Sequence, residues 1–507
     1  MRLSLRISAA AALLLVSAAA AAGPRITTTQ KLVNGYARQE PLRSAIFGVL
    51  AVRGSDTLAQ YNKGLKMLPA SNTKLITTGL ALGKLGPDYR FKTTLAHTGQ
   101  IVDGVLQGDL YIVGGGDPTI GSSTSCADTL GLTFSRWKAI LDANGIKSVT
   151  GRIIGDPRFF KRPYIATGWE FDDLGYGYAA GPAGLNIFEN MQVFSVKPGL
   201  EGEAPSITVK YPDTPWMSYV NSARTGVKGS GNSIFYAISR FGPFGEFHGS
   251  LPVDRKEYIH EGTNAFSAYT CAYFFYNYLM SNDIVVGGGY GDIAPSGNVR
   301  TDLLFSDVGS PAAAPGELKA LGSAESPELW RIASDTNHIS DNFYAETLFN
   351  MLSASMFGSS DRDSSVIAEY ALLKGMGLKT DGSCKLCDGS GLSRQNYVSP
   401  EFFVRFLKKM YAGPVRDYYL ETLPSPGVEK STMNNRLANE EASLKSRVKM
   451  KSGSMGGVLC FSGYILPADG DRSRTIVFSL LTNNVSAPSS EVGKILESII
   501  VSLAREE

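Results

Sequence analysis

The sequence predicts an α/β (α+β) domain assembled from both ends of the chain and interrupted by a β-rich inserted region. Three observations lead there. Both ends alternate helical and strand patterns, and the middle is a series of short strand runs broken by Gly, Pro and Asp. The composition is that of an ordinary folded protein: of 507 residues, 43% are hydrophobic and 19% charged, which excludes disorder, collagen and coiled coil. At ~150 residues per domain the length allows about three domains, or two with a long insertion. A formal charge of +2 argues against a basic nucleic-acid footprint, and 4 histidines argue against rich multi-metal sites.

At the start, Arg2 and Arg6 precede an apolar run from Ile7 to Val16, and small residues follow to Ala20-Ala21-Ala22-Gly23. A charged, then apolar, then small-residue order reads as a secretory signal peptide, residues 1–22, cleaved near Ala22. The run is shorter than the ~20 apolar residues of a spanning helix. Cleavage would bring the formal charge to zero, and no later segment is apolar enough to span. The expected mature chain carries no integral membrane segment and is periplasmic or secreted.

Residues 24–94 read as a helical stretch near Gln30–Ala37, a strand at Ile46–Val52 and a hairpin return through Thr57–Tyr61. A helix follows from the Pro69-Ala70-Ser71 start signal to about Leu85, where Gly86-Pro87 stops it. From about Phe91 to Pro252, short β-rich runs (Leu110–Val113, Val149–Ile154, Met191–Val196, Ile207–Tyr211) predict an antiparallel, loop-rich module with few helices. Helix returns at Ala265–Leu279, and Pro311–Ser326 reads as an Ala/Pro/Gly-rich loop. Helical patterns at Asn342–Ser353, Ser364–Lys374 and Pro400–Tyr411 lead to strands at Val448–Lys451, Val458–Ile465 and Thr475–Leu481. In the last helix Val492, Ile495, Leu496, Ile499, Ile500 and Leu503 share one face, as in core packing. The expected division is 23–91 with 263–507 as one discontinuous catalytic domain, and 92–262 as the insertion.

Five cysteines, Cys126, Cys271, Cys384, Cys387 and Cys460, leave at least one without an intramolecular partner. Cys384 and Cys387 form a C-x-x-C with no second pair or nearby His to complete a zinc site. The expectation is a local disulfide pinning a loop.

With so few histidines, a nucleophile needs another base. A Ser-x-x-Lys pair at a helix start supplies one, because residues three apart share a helix face and the amine reaches the hydroxyl. Backbone N–H groups at the helix start also face the developing negative charge of acyl transfer. Burial lowers a lysine from its usual pKa of ~10.4 and frees a neutral amine. The pattern occurs at Ser71–Lys74, Ser135–Lys138 and Ser446–Lys449, and Ser-x-Asn occurs at Ser230, Ser296 and Ser340. Only Ser71 opens a clear helix, and only Ser340-Asp341-Asn342 directly precedes one. Lys-[Ser/Thr]-Gly occurs once, at Lys451-Ser452-Gly453, beside two further strand runs. In that order the three make the catalytic set of penicillin-recognising serine acyl-transferases.

On these residues the chain resembles the low-molecular-mass class C penicillin-binding proteins, the D-alanyl-D-alanine carboxypeptidase/endopeptidase family, and so a serine transpeptidase-like catalytic fold. Gly108-Asp109-Leu110-Tyr111-Ile112-Val113-Gly114-Gly115-Gly116-Asp117-Pro118-Thr119 is similar to a family signature. So are Trp169-Glu170-Phe171-Asp172-Asp173, Tyr178-Ala179-Ala180-Gly181-Pro182 and Asp388-Gly389-Ser390-Gly391-Leu392-Ser393-Arg394. The resemblance implies that Ser71 is the acylated nucleophile and Lys74 its general base. Ser340 relays the proton to the leaving group, and Asn342 holds the substrate amide. Lys451 supplies positive charge. Ser452, Gly453 and Ser454 contact the substrate, with the Ser452 hydroxyl at its carboxylate and the Ser71 and Ser454 N–H groups as oxyanion hole. Lys-Ser-Gly stands where many members have Lys-Thr-Gly, which keeps the hydroxyl and loses a methyl contact. In some members an Asp of the inserted domain and a Met after the third motif line a pocket for a diaminopimelate side chain. Met455 fits that Met; Asp173 fits the Asp by counting back from Ala180, with Asp172 as its neighbour. A solvated turn acid and a core filler are the structural alternatives for these two.

The implied activity is an exported serine DD-peptidase. It cuts D-Ala-D-Ala termini or D-Ala–diaminopimelate crosslinks of peptidoglycan peptides, and β-lactams act as covalent inhibitors. No metal or organic cofactor is required. A β-lactamase or esterase of the same superfamily and a catalytically inactive cell-wall-binding protein are the rivals. Class A β-lactamases activate water with an additional Glu, and the superficial candidate here, Glu189, is predicted to lie in a strand region of the insertion.

Overall fold

A computed structural model describes residues 26–162, 164–239, 242–303 and 317–506. The signal-peptide segment 1–22 lies outside the described residues, as does the first part of the Pro311–Ser326 stretch. Among the described residues no helix is long and apolar enough to cross a membrane.

The two ends of the chain meet in one antiparallel five-stranded sheet. Helix α1 (Thr28–Tyr36) leads into strands β1 (Ile46–Arg53) and β2 (Asp56–Tyr61). The sheet then runs from β2 and β1 through Ile476–Asn483 and Val458–Ile465 to Val448–Met455, which forms its edge. Both inner C-terminal strands are buried at every position, which explains their near-continuous apolar runs. The side chains still divide by the period of two. Phe47, Val49, Leu459, Phe461, Phe478 and Leu480 join Val492, Leu496, Ile499, Ile500 and Leu503 of the C-terminal helix Ser489–Arg505. On the other face Leu50, Cys460, Tyr464, Val477 and Leu481 pack against helices. Central among these is α2 (Thr73–Leu85), whose residues Thr73–Leu82 are all buried, Thr73, Lys74, Thr77 and Thr78 among them. Gly86, at φ 88°, ends it.

The inserted region differs from the expected antiparallel module. A mixed six-stranded sheet begins at β3 (Lys92–His97), and within it Ile153–Asp156 runs parallel to both Leu110–Val113 and Tyr290–Ile293. Helices α3 (Leu130–Ala143) and α4 (Ser267–Met280) cover it through Phe134, Trp137, Leu141, Cys271 and Phe275. Its outer strand, Lys319–Glu325, pairs with β3 where the sequence reads as a loop. The segment Lys-Ala-Leu-Gly-Ser-Ala-Glu has almost no β-branched or aromatic residue, so only pairing makes it a strand. Strands Tyr290–Ile293, Val299–Arg300 and Lys319–Glu325 therefore belong to the inserted sheet, although the sequence division assigns them to the catalytic segment 263–507. A smaller β unit, including Met191–Lys197 and Tyr258–Thr263, packs around Phe194, Tyr236 and Phe247.

After this excursion come α5 (Leu329–His338), α6 (Asn342–Phe357), α7 (Arg362–Gly375) and α8 (Pro400–Ala412). Asp341 caps α6 by accepting from the Tyr344 N–H at 2.7 Å, and Ser399 caps α8 with Pro400 as its first residue. All five cysteines carry free thiols, so the expected Cys384–Cys387 disulfide is absent. Each thiol faces its own carbonyl instead: Cys384 that of Thr380 at 3.9 Å, Cys387 that of Gln395 at 3.6 Å.

Candidate active site

Ser71 sits in the short 3-10 turn Ala70–Asn72 that winds directly into α2. The preceding Ala70 has φ 46°, a left-handed conformation that a residue with a Cβ holds only when its surroundings enforce it. Two neighbours do so. Gly391 lies so close that an added Cβ would stand 1.9 Å from the Ala70 carbonyl, and one on Gly453 would stand 3.1 Å from the Ser71 nitrogen. The Asn72 amide ties the turn to the sheet through Ser462 Oγ at 2.8 Å.

Lys74 is fully buried, and its Nζ has three partners: Ser71 Oγ at 3.0 Å, Asn342 Oδ1 at 2.6 Å and the Ser390 carbonyl at 2.8 Å. None is charged, so no ion pair compensates for the lost water. Burial lowers the amine to about 8, although the negative charges of Asp341, Asp388 and Glu346 pull it upward. A neutral amine here can donate to Asn342 and Ser390 and turn its lone pair to the Ser71 hydroxyl.

The second and third motifs form a matching pair. Lys451, also fully buried, donates to Ser340 Oγ at 2.9 Å and to the Ser452 carbonyl at 2.8 Å. Burial, then the charge of Lys74, holds it well below the usual lysine value. Ser340 stands at φ 66° just before α6. Ser452 donates to Thr432 Oγ1 at 3.1 Å, while Ser454 is exposed. The third motif lies within the edge strand, which continues to Met455, rather than ending it.

At the rim, the Asn342 amide donates to the Tyr178 carbonyl at 2.9 Å, and the Tyr178 hydroxyl donates to Asp173 Oδ1 at 2.8 Å. The inserted region thus reaches the second motif, with Asp173 half-buried and Asp172 exposed. Met455 is half-buried beside Gly456, and a Cβ on Gly456 would lie 3.6 Å from an Arg394 Nη2. Arg394 is paired with Glu170 at 2.9 Å.

A model of the D-Ala-D-Ala carboxypeptidase 3 (S13) family matches residues 29–257 and 304–506. The chain belongs to this family. Its members include the low-molecular-mass class C penicillin-binding proteins that the three motifs resemble. A D-alanyl-D-alanine carboxypeptidase from Actinomadura sp. is 28% identical over 482 residues, 92% of this chain and 83% of the relative. The crystal structure of penicillin binding protein 4 (dacB) from Haemophilus influenzae covers 94% of this chain and 99% of its own, with TM-score 0.76 and 23% identity. The same protein complexed with a novel beta-lactam gives TM-score 0.71 at 22% identity, over 94% of this chain and 98% of that one. These likenesses show the shared fold, mixed α/β with a long excursion from the catalytic body.

Beyond the motif residues, this S13 family member surrounds Lys74 with groups that the sequence reading gave no role. The loop supplying the Ser390 carbonyl is held by two buried carboxylates. Glu346 accepts from the Gly389 and Ser390 N–H groups at 3.0 and 2.8 Å and pairs with Arg362 at 2.6 Å. Asp388 accepts from Trp169 Nε1 at 2.9 Å, from the Gly391 and Ser393 N–H groups and from Asn396. Glu346 was findable: it lies four residues beyond Asn342, on the same face of α6.

Proposed function

We propose that the chain is a serine DD-peptidase acting on peptidoglycan peptides through an acyl-enzyme at Ser71. One observation carries this reading: Lys74 Nζ bridges Ser71 and Asn342 while Lys451 Nζ holds Ser340, so the three motifs form one hydrogen-bonded group. Lys74 takes the Ser71 proton as Oγ attacks the penultimate D-Ala carbonyl. The Ser71 and Ser454 N–H groups hold the oxyanion. The intermediate collapses as Ser340, held by the Lys451 amine, gives its hydroxyl proton to the departing amine and takes up the proton that Lys74 received, so both groups return to their starting state. Water then repeats the sequence on the ester. Asn342 orients the substrate amide, and Ser452 meets the terminal carboxylate.

Asp173, Arg394 and Met455 are suited to a diaminopimelate side chain: carboxylate for its ammonium, guanidinium for its carboxylate, thioether along its methylenes. The chemistry requires a chain delivered to the periplasm or exterior, which the apolar N-terminal segment supports. The complex of the Haemophilus influenzae protein with a novel beta-lactam supports β-lactam binding, which an acylated Ser71 would make covalent. Incubation with purified crosslinked muropeptides, with the products identified by mass, tests the reading. Release of D-Ala or of crosslink-cleaved monomers is expected. Neither product, together with no covalent label from a fluorescent penicillin, refutes it.

A further inference from the structure

The catalytic scheme leaves a buried acid unused. Glu189 is 6% exposed, and its carboxyl is hydrogen-bonded to that of Asp341, the middle residue of the second motif. The sequence predicts a strand around Glu189. Instead Phe188, Glu189 and Asn190 stand at φ 52°, 53° and 52°, three successive left-handed residues, none of them glycine. Single residues visit that region at a cost, and runs are avoided. Here the flanks hold the turn. Phe188 sits edge-on to Phe274 at 5.2 Å, and Asn190 bonds Gly181, Asn186 and Ile187. What the strained turn delivers is one carboxyl, pointed at α6.

Its surroundings form a seam between the inserted region and the second motif. Ser122 donates to Glu189 Oε1 at 2.7 Å and accepts from the Tyr344 hydroxyl at 2.9 Å. Thr124 meets the same hydroxyl at 2.6 Å, and Ser125 and the Cys126 N–H bond Asp335 of α5 at 2.6 and 2.8 Å. Asp341 meanwhile caps α6. Two carboxyl groups in hydrogen-bond contact need a proton between them, because two carboxylates would repel and neither could donate.

We propose that Glu189 is a positioning residue: it shares a single proton with Asp341, and this bond clamps the start of α6 so that Ser340 and Asn342 stay aligned with Lys451 and Lys74. The inference rests on the role given above to Ser340 and Asn342. Besides Asp341, the titratable groups facing the pair are Lys74 of α2, Tyr344 of α6 with Cys126 beyond it, and Tyr211 from Ser206–Tyr211. Burial, then the Asp341 charge, pushes Glu189 above the ordinary carboxylate range. For an acid with a raised pKa the clamp exists below that value and is lost above it.

The test is the rate of covalent labelling by a fluorescent penicillin, measured at pH 7 and 9.5 for wild type, Glu189→Gln and Glu189→Ala. The glutamine amide donates to Asp341 at every pH, so clamping no longer depends on a proton. Above its raised pKa the wild type loses the shared proton and approaches the unclamped state that the alanine variant represents. The ratio of the rates at pH 9.5 and 7 is therefore expected to be on the order of tenfold larger in Glu189→Gln than in wild type. Glu189→Ala is expected to label at least tenfold more slowly at pH 7, with its folding checked by circular dichroism. Equal ratios for wild type and Glu189→Gln overturn the proposal whether or not the alanine variant folds. A wild type that is never labelled overturns the Ser71 reading as well, which separates the two failures.

Discussion

Replacing Arg362 by Met tests whether the buried Glu346–Arg362 pair holds Lys74, the proposed general base, in place. The pair is 2.6 Å apart with side chains 0% and 8% exposed, so neither charge has a useful share of solvent. Methionine fills most of the arginine's volume and removes its charge. Breaking a buried pair from one side costs ~3–5 kcal/mol, because the remaining charge is uncompensated. Glu346 keeps two backbone N–H donors at 3.0 and 2.8 Å, so the lower end, about 3 kcal/mol, applies. Burial already raises Glu346 above the ordinary carboxylate range, and losing Arg362 raises it further. An acid with a raised folded pKa loses stability as pH climbs from its unfolded value, so the variant's deficit should be smaller at pH 5 than at pH 8. Urea denaturation followed by tryptophan fluorescence reports the loss, with Trp169 signalling from within the Asp388 network. The same variant should acylate about tenfold more slowly at fixed penicillin, since roughly half of the lost energy appearing in the barrier gives that factor. Adding Glu346→Gln should recover ~2 kcal/mol relative to the sum of the single changes. A loss below ~1 kcal/mol, the range of exposed pairs, would refute the reasoning.

Three further outcomes are expected. Ser71→Ala should abolish penicillin labelling while leaving the circular dichroism spectrum unchanged; equal labelling would assign the nucleophile elsewhere. Lys74→Ala should slow acylation by ~10²–10⁴-fold. In the wild type the acid side of the rate profile should rise toward about pH 8 as Lys74 loses its proton, and a limb displaced toward 10 would mean that the amine is not the base. Asp173→Asn should cut turnover of diaminopimelate peptides by roughly tenfold or more, the loss of a charge-assisted bond of ~1.5–3 kcal/mol, and spare acylation by a simple penicillin. Equal loss on both substrates would make Asp173 structural.

How much of this could be read in advance depends on where the information resides. Helix α2 was legible because its start carries Pro69 and Ser71, its end carries Gly86-Pro87, and Leu75, Ile76, Leu80, Ala81 and Leu82 lie between. The reach from Lys74 to Ser71 follows from a spacing of three. The edges of the inserted sheet were not legible. Lys319–Glu325 owes its conformation to β3, 222 or more positions away in sequence, and no local propensity marks it. The Ser390 carbonyl is a backbone group, so its contact with Lys74 has no side-chain signature. At Glu189 the neighbouring strand Met191–Lys197 misled the reading, because Phe, Glu and Asn give no sign of a left-handed run. The C-x-x-C misled it in another way: spacing permits a bond, but Cys384 and Cys387 turn to different carbonyls.

Val448–Met455 closes one side of the five-stranded sheet, and among the described residues no strand lies beyond it. Such a border ordinarily invites unwanted pairing. Here it adjoins Ser71, since the Gly453 backbone packs on the nucleophile turn. An extended stem peptide can lie along it as a temporary sixth strand, joined by main-chain bonds that every peptide possesses. Alternate side chains of such a guest would point to opposite faces, so only every second one could meet Met455 and Arg394, the residues proposed above for the side-chain pocket. Grip and choice would thereby be separated: the border would hold any chain of the right backbone, and the few side chains beside it would select among them. For a peptidase whose target is one continuous wall rather than a dilute solute, that division would let a single cleft take a free tail or, were crosslinks also cut, a bridged one.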